Sequence, residues 1–198
     1  MLTISNLPDT QPYKLFQENY LAAEQAGQSL PYAFAISSYN PSTNQVDSRF
    51  VNLKFIDGED WIFFTNYHSP KAQAFKLHDQ VAVLFNWFST QTQIRIQAKI
   101  CMLDAKKSDE HFSSRIKEKN AVAIFSQQSQ PAKSYEDLEA RYQQTLDYDN
   151  LFHRPDHWGG YVFKPFYFEF WTANNTRLNH RHAFELIDGN WQGSILEP

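Results

Sequence analysis

The stretch from Trp158 to Arg181 carries residue types that could bind a charged ring. An aromatic run typical of a strand ends at Trp171, and a polar turn follows with two arginines four residues apart, Arg177 and Arg181. Cations beside an aromatic sheet suit an anionic, planar ligand. On spacing alone, a packed strand followed by a solvated arginine loop explains the pattern more simply, because aromatic alternation is chiefly a packing signal. Both interpretations remain open at this point.

A second candidate anion site lies at the start of a predicted helix. Ser69 is a typical N-cap residue, Pro70 suits the first helical position, and Lys71 follows. Free N–H groups and the helix dipole both attract an anion at such a position, so the pattern favours a phosphate site. A capped surface helix without a ligand would show the same residues.

Five further ionisable residues fall into two groups. Arg49 and Lys54 lie on one predicted strand at an odd separation, so they share a ligand only if a bulge or a strand end intervenes. His111, Arg115 and Lys119 follow one another at intervals of four, which predicts a single stripe on one helix. Aligned cations repel one another unless an anion lies among them. A solvated basic face is the alternative.

Strands are the main elements that would position these residues. An N-terminal helix is predicted over 9–26, a short helix after Ser69, and two further helices capped by Ser108 and Ser134. In one strand, alternating isoleucines leave Gln93 on the opposite face, where it can reach a polar ring edge. The first three strands are close enough in sequence to suggest an antiparallel meander. The strands are predicted over 31–39, 46–57, 61–66, 81–87, 91–103, 158–171 and 182–191.

Composition favours one sheet-based domain over a helical bundle. The chain has 198 residues, of which 42% are hydrophobic and 16% aromatic. We expect one domain over 1–198, with an N-terminal helix in 1–28 and a helical insertion over 106–146. The resulting fold class is mainly β with peripheral helices, an antiparallel barrel with cationic positions at its rim.

Several partners are not expected. The net charge of −4 argues against nucleic acid, and no apolar run reaches the length of a membrane span. A lone cysteine, Cys101, and an N-terminus without signal-peptide order indicate a reducing cytoplasm. Neither GxGxxG nor GxxxxGK[ST] occurs, so side chains and helix ends would have to hold any nucleotide. The histidines lack metal-ligand spacing, so no metal is expected.

A set of short motifs is identified over most of the chain. In order and spacing they resemble the pyridoxamine 5'-phosphate oxidase family, flavoproteins that complete the synthesis of pyridoxal phosphate. The motifs are SRFVNLK at 48–54, FFTN at 63–66, SPKA at 69–72, QIRIQAK at 93–99, FSSR at 112–115, SQQSQ at 126–130, WGG at 158–160, EFW at 169–171 and RLNHR at 177–181.

The resemblance implies a roughly six- to eight-stranded antiparallel split β-barrel that binds FMN. It also implies a homodimer with FMN at the subunit interface. Arg49 and Lys71 would contact the FMN phosphate. The cofactor-binding positions carried over are Arg49, Val51, Lys54, Phe64, Thr65, Lys71, Gln93, Gln128, Ser129, Trp171 and Arg181.

A substrate site also follows from the resemblance. The substrate 5'-phosphate would lie among Lys54, His111, Arg115 and Lys119. Arg177 and Asn179 would lie over the substrate ring as the catalytic pair. The implied reaction is oxidation of pyridoxamine or pyridoxine 5'-phosphate, with hydride transfer from C4' to flavin N5 and oxygen as the acceptor.

The chain departs from the family pattern at five positions. Pro70 replaces an arginine that contacts the FMN phosphate, and Phe64 replaces a tyrosine. His111 and Lys119 replace a tyrosine and a serine, which alters the shape of the phosphate pocket. Asn179 replaces a ring-contacting histidine, and an amide cannot take a proton near neutral pH. Two alternatives follow: a flavin oxidoreductase with another substrate, or a non-catalytic FMN or pyridoxal phosphate binding protein.

Overall fold

Ten strands and five α-helices make up the computed structural model, which describes residues 2–198. Within these residues no helix combines the length and apolarity needed to cross a membrane. The strands are β1 (Thr3–Ser5), β2 (Ala33–Asn40), β3 (Gln45–Asn52), β4 (Phe55–Asp57), β5 (Asp60–Asn66), β6 (Gln80–Trp87), β7 (Thr92–Met102), β8 (Trp158–Thr172), β9 (His180–Ile187) and β10 (Asn190–Ile195). The helices are α1 (Gln11–Gln25), α2 (Pro70–Leu77), α3 (Ala105–Ser113), α4 (Lys117–Phe125) and α5 (Tyr135–Leu146), and a short 3-10 helix spans Phe88–Thr90.

The strands form one sheet in the order β1-β4-β5-β8-β7-β6-β2-β3, with β9 and β10 continuing from β8. Every neighbouring pair is antiparallel except β1 with β4. The sheet is curled. Its curl is shown by β3, which comes close to β5 although four strands lie between them in the sheet order. The mainly β fold with peripheral helices matches the expectation. The strand count is higher than expected, and the parallel β1 was not foreseen.

The segment predicted as one strand over 46–57 is broken in two. At Leu53 the backbone N–H donates to Tyr32 O (3.0 Å), next to β2, whereas the N–H of Lys54 donates to Ile62 O (2.9 Å) in β5. The chain thus exchanges one hydrogen-bonding neighbour for another at this point, with Leu53 fully buried at the crossing. The antiparallel pairing predicted between sequence neighbours holds for β2 with β3 and for β4 with β5. The break at Leu53 places these two pairs at different positions of the sheet, so they do not form one continuous meander.

A β-bulge interrupts the aromatic strand β8. Gln97 is opposite Tyr167 and Ala98 is opposite Pro165, which leaves Phe166 as the extra residue. Proline suits a bulge because it has no N–H to donate to the ladder. The expected alternation therefore holds for Phe168 and Phe170, which are buried, while Phe166 is only partly buried.

Helix α1 closes the core with one aromatic face. Its buried side carries Tyr13, Phe16, Tyr20 and Ala23. The Phe16 ring lies 4.4 Å from the ring of Trp61 and 5.3 Å from that of Phe85, measured between centroids. This face anchors the helix to the inner surface of the sheet, as its periodicity predicted.

Replacement of Phe16 by alanine should destabilise the protein by roughly 3–5 kcal/mol, because it removes a fully buried ring and leaves a cavity. Leu21→Ala is the matched control on the same helix, since Leu21 is 45% exposed and should cost less than about 1 kcal/mol. Urea unfolding of both variants tests this expectation. Equal losses of unfolding free energy would contradict the packing described for α1.

Candidate functional site

A cleft of about 910 Å³ opens between the edge strand β3, the end of β5, the start of α2 and the α3–α4 region. It collects many of the residues singled out in the sequence. Those that line it are Arg49, Val51, Lys54, Phe64, Thr65, Lys71, His111, Arg115, Lys119, Gln128 and Ser129.

Lys71 is the most deeply buried cation of the cleft, with 6% of its surface exposed. Its ammonium group donates to Thr65 Oγ1 (3.0 Å) and Ser69 Oγ (3.3 Å), and the Thr65 hydroxyl donates in turn to Gln128 Oε1 (3.3 Å). Burial, together with the nearby charge of Arg49, lowers the pKa of Lys71 to about 8. A lysine in this setting gains from an anion that replaces its lost hydration.

Ser69 has the N-cap position of α2 but does not cap the helix with its side chain. Its hydroxyl donates to Asn66 O (2.7 Å) and accepts from Lys71. Pro70 occupies the next position and is exposed at the mouth of the cleft. The side chains at this helix start therefore orient the lysine rather than close the helix end.

Arg49 approaches the same part of the cleft from β3. It forms a salt bridge with Asp47 and donates to Ser38 Oγ (2.9 Å) and Ile36 O (3.3 Å). Asp47 is mostly exposed, so the ion pair is weakly held and competes with water. Arg49 and Lys71 together form the first cationic group of the cleft.

The second cationic group comprises Lys54, His111, Arg115 and Lys119. Lys54 lies at the break between β3 and β4, which removes the strict alternation that separated it from Arg49 in the sequence. Burial, with the charges of Lys119 and Arg115, lowers the pKa of Lys54. These cations are thus close enough that each disfavours the charged form of its neighbours.

Arg115 is held flat against aromatic rings. Its guanidinium carbon lies 4.4 Å from the ring centroid of Trp158 and 5.3 Å from that of Phe112. Nη2 donates to Lys119 O (3.0 Å), while the buried Nη1 has no hydrogen-bond partner among residues 2–198. Burial lowers the pKa of Arg115 to about 10. The unpaired donor points to a missing acceptor.

Three near-parallel rings form what we call the aromatic shelf: Phe64, His111 and Trp158. The centroid of Phe64 lies 4.0 Å from that of His111 and 5.2 Å from that of Trp158, with interplanar angles of 22° and 7°. The shelf rests on the strand start at Gly159 and Gly160. A Cβ at Gly159 would lie 2.0 Å from Tyr67 Oη, and one at Gly160 would lie 2.5 Å from a methyl group of Leu103. Glycine is required at both positions because the backbone of β8 passes so close to its neighbours.

The predicted stripe of His111, Arg115 and Lys119 on one helix is wrong. Helix α3 ends at Ser113 and α4 begins at Lys117, so Arg115 lies in the connection. The hydroxyls of Ser113 and Ser114 donate to Glu110 O and His111 O, which competes with helix continuation. The three side chains still reach one cleft, through this corner rather than along a helix face.

Ser108 is likewise not the N-cap predicted for α3. Asp104 holds that position and accepts from the backbone N–H groups of Lys106 and Lys107. Ser108 is buried one turn later, where its hydroxyl donates to Asp104 O (3.2 Å) and accepts from Gly160 N (3.1 Å). It ties α3 to β8 beneath the aromatic shelf. The Ser134 cap of α5 is confirmed, since its hydroxyl accepts from Asp137 N.

Five predicted site residues do not line the cleft of their own chain. Gln93, Trp171 and Arg181 are neighbours across β7, β8 and β9, and we call them the outer cluster. Gln93 lines a separate groove with Arg95 and Tyr167. Within one chain, the cleft residues and the outer cluster therefore form two separate groups.

Glu169 anchors Arg181 of the outer cluster and was not predicted. This carboxylate is 3% exposed. It accepts from Arg181 Nε (3.0 Å) and Nη2 (2.8 Å), and from Arg95 Nη1 (2.8 Å) and the Tyr167 hydroxyl (3.2 Å). Arg181 Nη1 also donates to Glu197 O (2.6 Å). The sequence did contain a signal for this buried carboxylate. It is a single acidic residue inside an aromatic strand, with basic residues nearby in sequence.

Arg177 and Asn179 occupy the loop between β8 and β9. Arg177 is exposed and has a φ of +64°, and its backbone N–H donates to Asn174 O (2.9 Å). Asn179 is partly buried, and its side-chain oxygen accepts from Asn174 N (3.1 Å). That bond leaves the amide NH₂ of Asn179 available as a donor.

Two family models match the chain. One, described as Pyridoxamine 5'-phosphate oxidase, covers residues 22–147. The other, described as Pyridoxine 5'-phosphate oxidase C-terminal dimerisation region, covers residues 158–198. Together they span both the cleft and the outer cluster.

Curated relatives match over nearly the whole chain. The pyridoxine/pyridoxamine 5'-phosphate oxidase of Colwellia psychrerythraea is 36% identical over 193 residues, which cover 96% of this chain and 88% of the relative. The pyridoxine/pyridoxamine 5'-phosphate oxidase 1 of Hydrogenovibrio crunogenus is 34% identical and covers 96% and 89%.

Solved structures share the fold. PhzG from Burkholderia lata, in complex with tetrahydrophenazine-1-carboxylic acid, superposes with a TM-score of 0.90 at 26% identity and covers 96% of this chain and 94% of its own. An FMN binding protein of Nostoc punctiforme, related to pyridoxamine 5'-phosphate oxidase, gives a TM-score of 0.80 at 9% identity, covers 96% and 99%, and shows the fold alone. The FMN-binding split-barrel fold expected from the sequence is confirmed.

The buried ammonium of Lys71 makes folding stability depend on pH. The unfolded chain keeps this proton up to the usual range near 10.5, whereas the folded chain releases it near 8. Between these values the unfolded state binds more protons, so stability rises with pH. Without added anions, the wild type should gain roughly 1–2 kcal/mol over Lys71→Met between pH 7.5 and 9.5.

Urea unfolding at several pH values measures this difference. Lys76→Met, on the exposed side of the same helix, is the matched control and should follow the wild-type curve. Parallel stability curves for wild type and Lys71→Met would show that burial does not depress the lysine pKa.

Proposed function

Because the chain belongs to the pyridoxamine 5'-phosphate oxidase family, whose members are FMN-dependent oxidoreductases, we propose that it oxidises pyridoxamine or pyridoxine 5'-phosphate, or a closely related phosphorylated ring. Hydride transfer to flavin N5, with oxygen as the acceptor, is the proposed reaction. The observation that carries the proposal is the second cationic group beside the aromatic shelf, with which no carboxylate of residues 2–198 forms a salt bridge.

The charges of the cleft fit a ligand with phosphate groups. Within residues 2–198, neither Lys54, Lys71, Arg115 nor Lys119 forms a salt bridge, although nine such bridges occur elsewhere in that range. Buried cations without partners are costly, and an anion offsets that cost. Nη1 of Arg115, which lines the cleft, is a donor without a partner among residues 2–198.

FMN is the cofactor of the family, and the first cationic group has the chemistry to hold its phosphate. Lys71 and Arg49 supply the charge, and Thr65 with Gln128 extends the hydrogen-bonded chain along the wall. Val51, Phe64 and Ser129 line the same cleft. Pro70 supplies no backbone N–H at the helix start, so we assign the phosphate to side chains.

Substrate binding is assigned to the second cationic group. Arg115 and Lys54 would bind the substrate phosphate, with Lys119 adding charge at the mouth of the cleft and His111 a ring nitrogen. The stacked rings of the aromatic shelf form an aromatic wall beside these charges, which suits a planar ring. When bound, FMN accepts the hydride, and the protein supplies position and electrostatics.

The outer cluster and the loop pair are assigned to a second copy of the chain. We infer a homodimer in which Gln93, Trp171 and Arg181 of one subunit complete the cleft of the other, with Arg177 and Asn179 over the substrate ring. Support comes from the match of residues 158–198 to a dimerisation region and from the separation of the two groups within one chain. Asn179 would donate a hydrogen bond to the ring and would not carry a proton.

A second candidate is an FMN-dependent oxidoreductase with a carboxylated aromatic substrate. The observation that favours it is the superposition on PhzG, which was solved with tetrahydrophenazine-1-carboxylic acid. The replaced residues of the pocket, His111, Lys119 and Asn179, are where such a preference would arise. The same turnover assay separates the two candidates.

Anaerobic mixing of the FMN-loaded protein with pyridoxamine 5'-phosphate tests the reaction. The flavin absorbance should bleach as the amine is oxidised to an imine, which water hydrolyses to pyridoxal 5'-phosphate and ammonia. Admission of oxygen should then restore the absorbance with release of hydrogen peroxide. Bleaching by tetrahydrophenazine-1-carboxylic acid and not by pyridoxamine 5'-phosphate would favour the second candidate. No bleaching by either would overturn both.

Arg115→Ala should raise the KM for the phosphorylated substrate about tenfold to a hundredfold, because a hydrogen bond to a charged group is worth about 1.5–3 kcal/mol. The Kd for FMN should change far less. Arg49→Ala should show the reverse pattern, and Lys117→Ala, an exposed cation outside the cleft, should change neither. Equal loss of both ligands in Arg115→Ala would show that the two cationic groups do not serve separate phosphates.

Mixed dimers test the shared site. Arg49→Ala and Arg181→Ala are each expected to be inactive at limiting FMN. Co-refolded in equal amounts, they should recover about a quarter of wild-type activity, because half of the dimers then contain one intact site out of two. No recovery would place Arg49 and Arg181 in the same site of one chain or in unrelated places.

A further inference from the structure

His111 has an unusual setting inside the second cationic group. Its ring lies against the face of Phe64 (4.0 Å between centroids) and meets Phe55 edge-on (5.4 Å, 88°). Within residues 2–198, neither ring nitrogen forms a hydrogen bond, although the backbone oxygen of the same residue accepts from Ser114. The imidazole is therefore fixed by stacking, and its polar edge is left for a ligand.

The charges that act on this ring are positive, whereas Asp109 and Glu110 of the same helix line a different pocket. The strands packed against it contribute Phe55, Phe64 and Trp158, which carry none. Lys54 and Arg115 act on it from the two chain connections, and Lys119 lines the same cleft from α4. On its own helix, Lys107 is directed to Asp57 (3.9 Å).

The ring is neutral in the ligand-free protein as a result. Burial, followed by the charges of Arg115 and Lys54, lowers the pKa of His111 to about 4. A dianion between these residues would offset the charges of Lys54 and Arg115 and accept an N–H bond from the ring. By linkage, a ligand that binds the protonated form of His111 more tightly than the neutral form raises the proton affinity of His111 by the same factor.

We propose that His111 is a specificity-determining residue that takes up a proton when a dianionic group enters the second cationic group. The proposal rests on the assignment of that group as the substrate phosphate site. The added charge forms only with the ligand, so the site gains more from a phosphate or sulfate dianion than from a carboxylate. Affinity for dianions should consequently increase as the pH falls.

Sulfate is the appropriate probe, because it remains a dianion throughout the range used. Its Kd for the FMN-saturated protein should be measured by calorimetry from pH 5 to 8 at constant ionic strength in chloride. FMN saturation keeps sulfate out of the first cationic group. Wild-type Kd should rise with pH, approaching about tenfold per unit where a full proton is taken up. Calorimetry in two buffers of different ionisation enthalpy counts that proton directly.

His111→Gln keeps a hydrogen-bonding side chain that cannot titrate, so its sulfate Kd should be independent of pH and should show no proton uptake. Lys119→Gln is the matched control: sulfate should bind up to about fivefold more weakly at every pH, with the wild-type slope retained. Acetate, a monoanion, should show a much smaller slope than sulfate with the wild-type protein.

A flat wild-type profile, or a slope that persists in His111→Gln, would overturn the proposal. Sulfate that fails to bind the FMN-saturated protein would overturn it together with the assigned phosphate site. Proton-linked sulfate binding in a protein that does not oxidise pyridoxamine 5'-phosphate would instead leave the role of His111 intact and reject only the proposed substrate.

Discussion

Like charges confined to one cleft repel each other, and burial adds the cost of removing them from water. Lys71 and Arg115 bear both costs, and no carboxylate of residues 2–198 forms a salt bridge with either. The surrounding fold must therefore hold these side chains against their own repulsion. It does so with neutral contacts, hydroxyls around Lys71 and aromatic faces around Arg115.

Residue types predicted the site better than residue spacing did. The cations of the cleft were identified from the sequence because their charge was unexplained, and the motifs placed them in one family. The geometry connecting them was not predictable from periodicity. Interval-four spacing suggested one helix for His111, Arg115 and Lys119, whereas serine hydroxyls end α3 between the first two. Local hydrogen-bond competition of this kind leaves no signal in a hydrophobic pattern.

Tertiary contacts also decided which strands pair. Proximity in sequence predicted the pairs β2–β3 and β4–β5, but not the pairing of β5 with the distant β8 or the change of neighbours at Leu53. The same crossing places Lys54 beside the cleft. Likewise, Glu169 was overlooked because a charged residue in an aromatic strand suggests an exposed position, whereas two arginines and a tyrosine allow its burial. Arg181, one of the proposed cofactor positions, is held by this buried acid.

The cleft has one wall that tolerates little substitution and one that tolerates more. The glycine pair beneath the aromatic shelf belongs to the first. Gly159 and Gly160 admit no side chain, so the strand that carries Trp158 cannot be remodelled without displacing Tyr67 and Leu103. The adjoining wall is a corner between two short helices, with exposed positions on both sides of Arg115. Mutational libraries intended to change ligand preference should therefore concentrate diversity at that corner and leave β8 untouched.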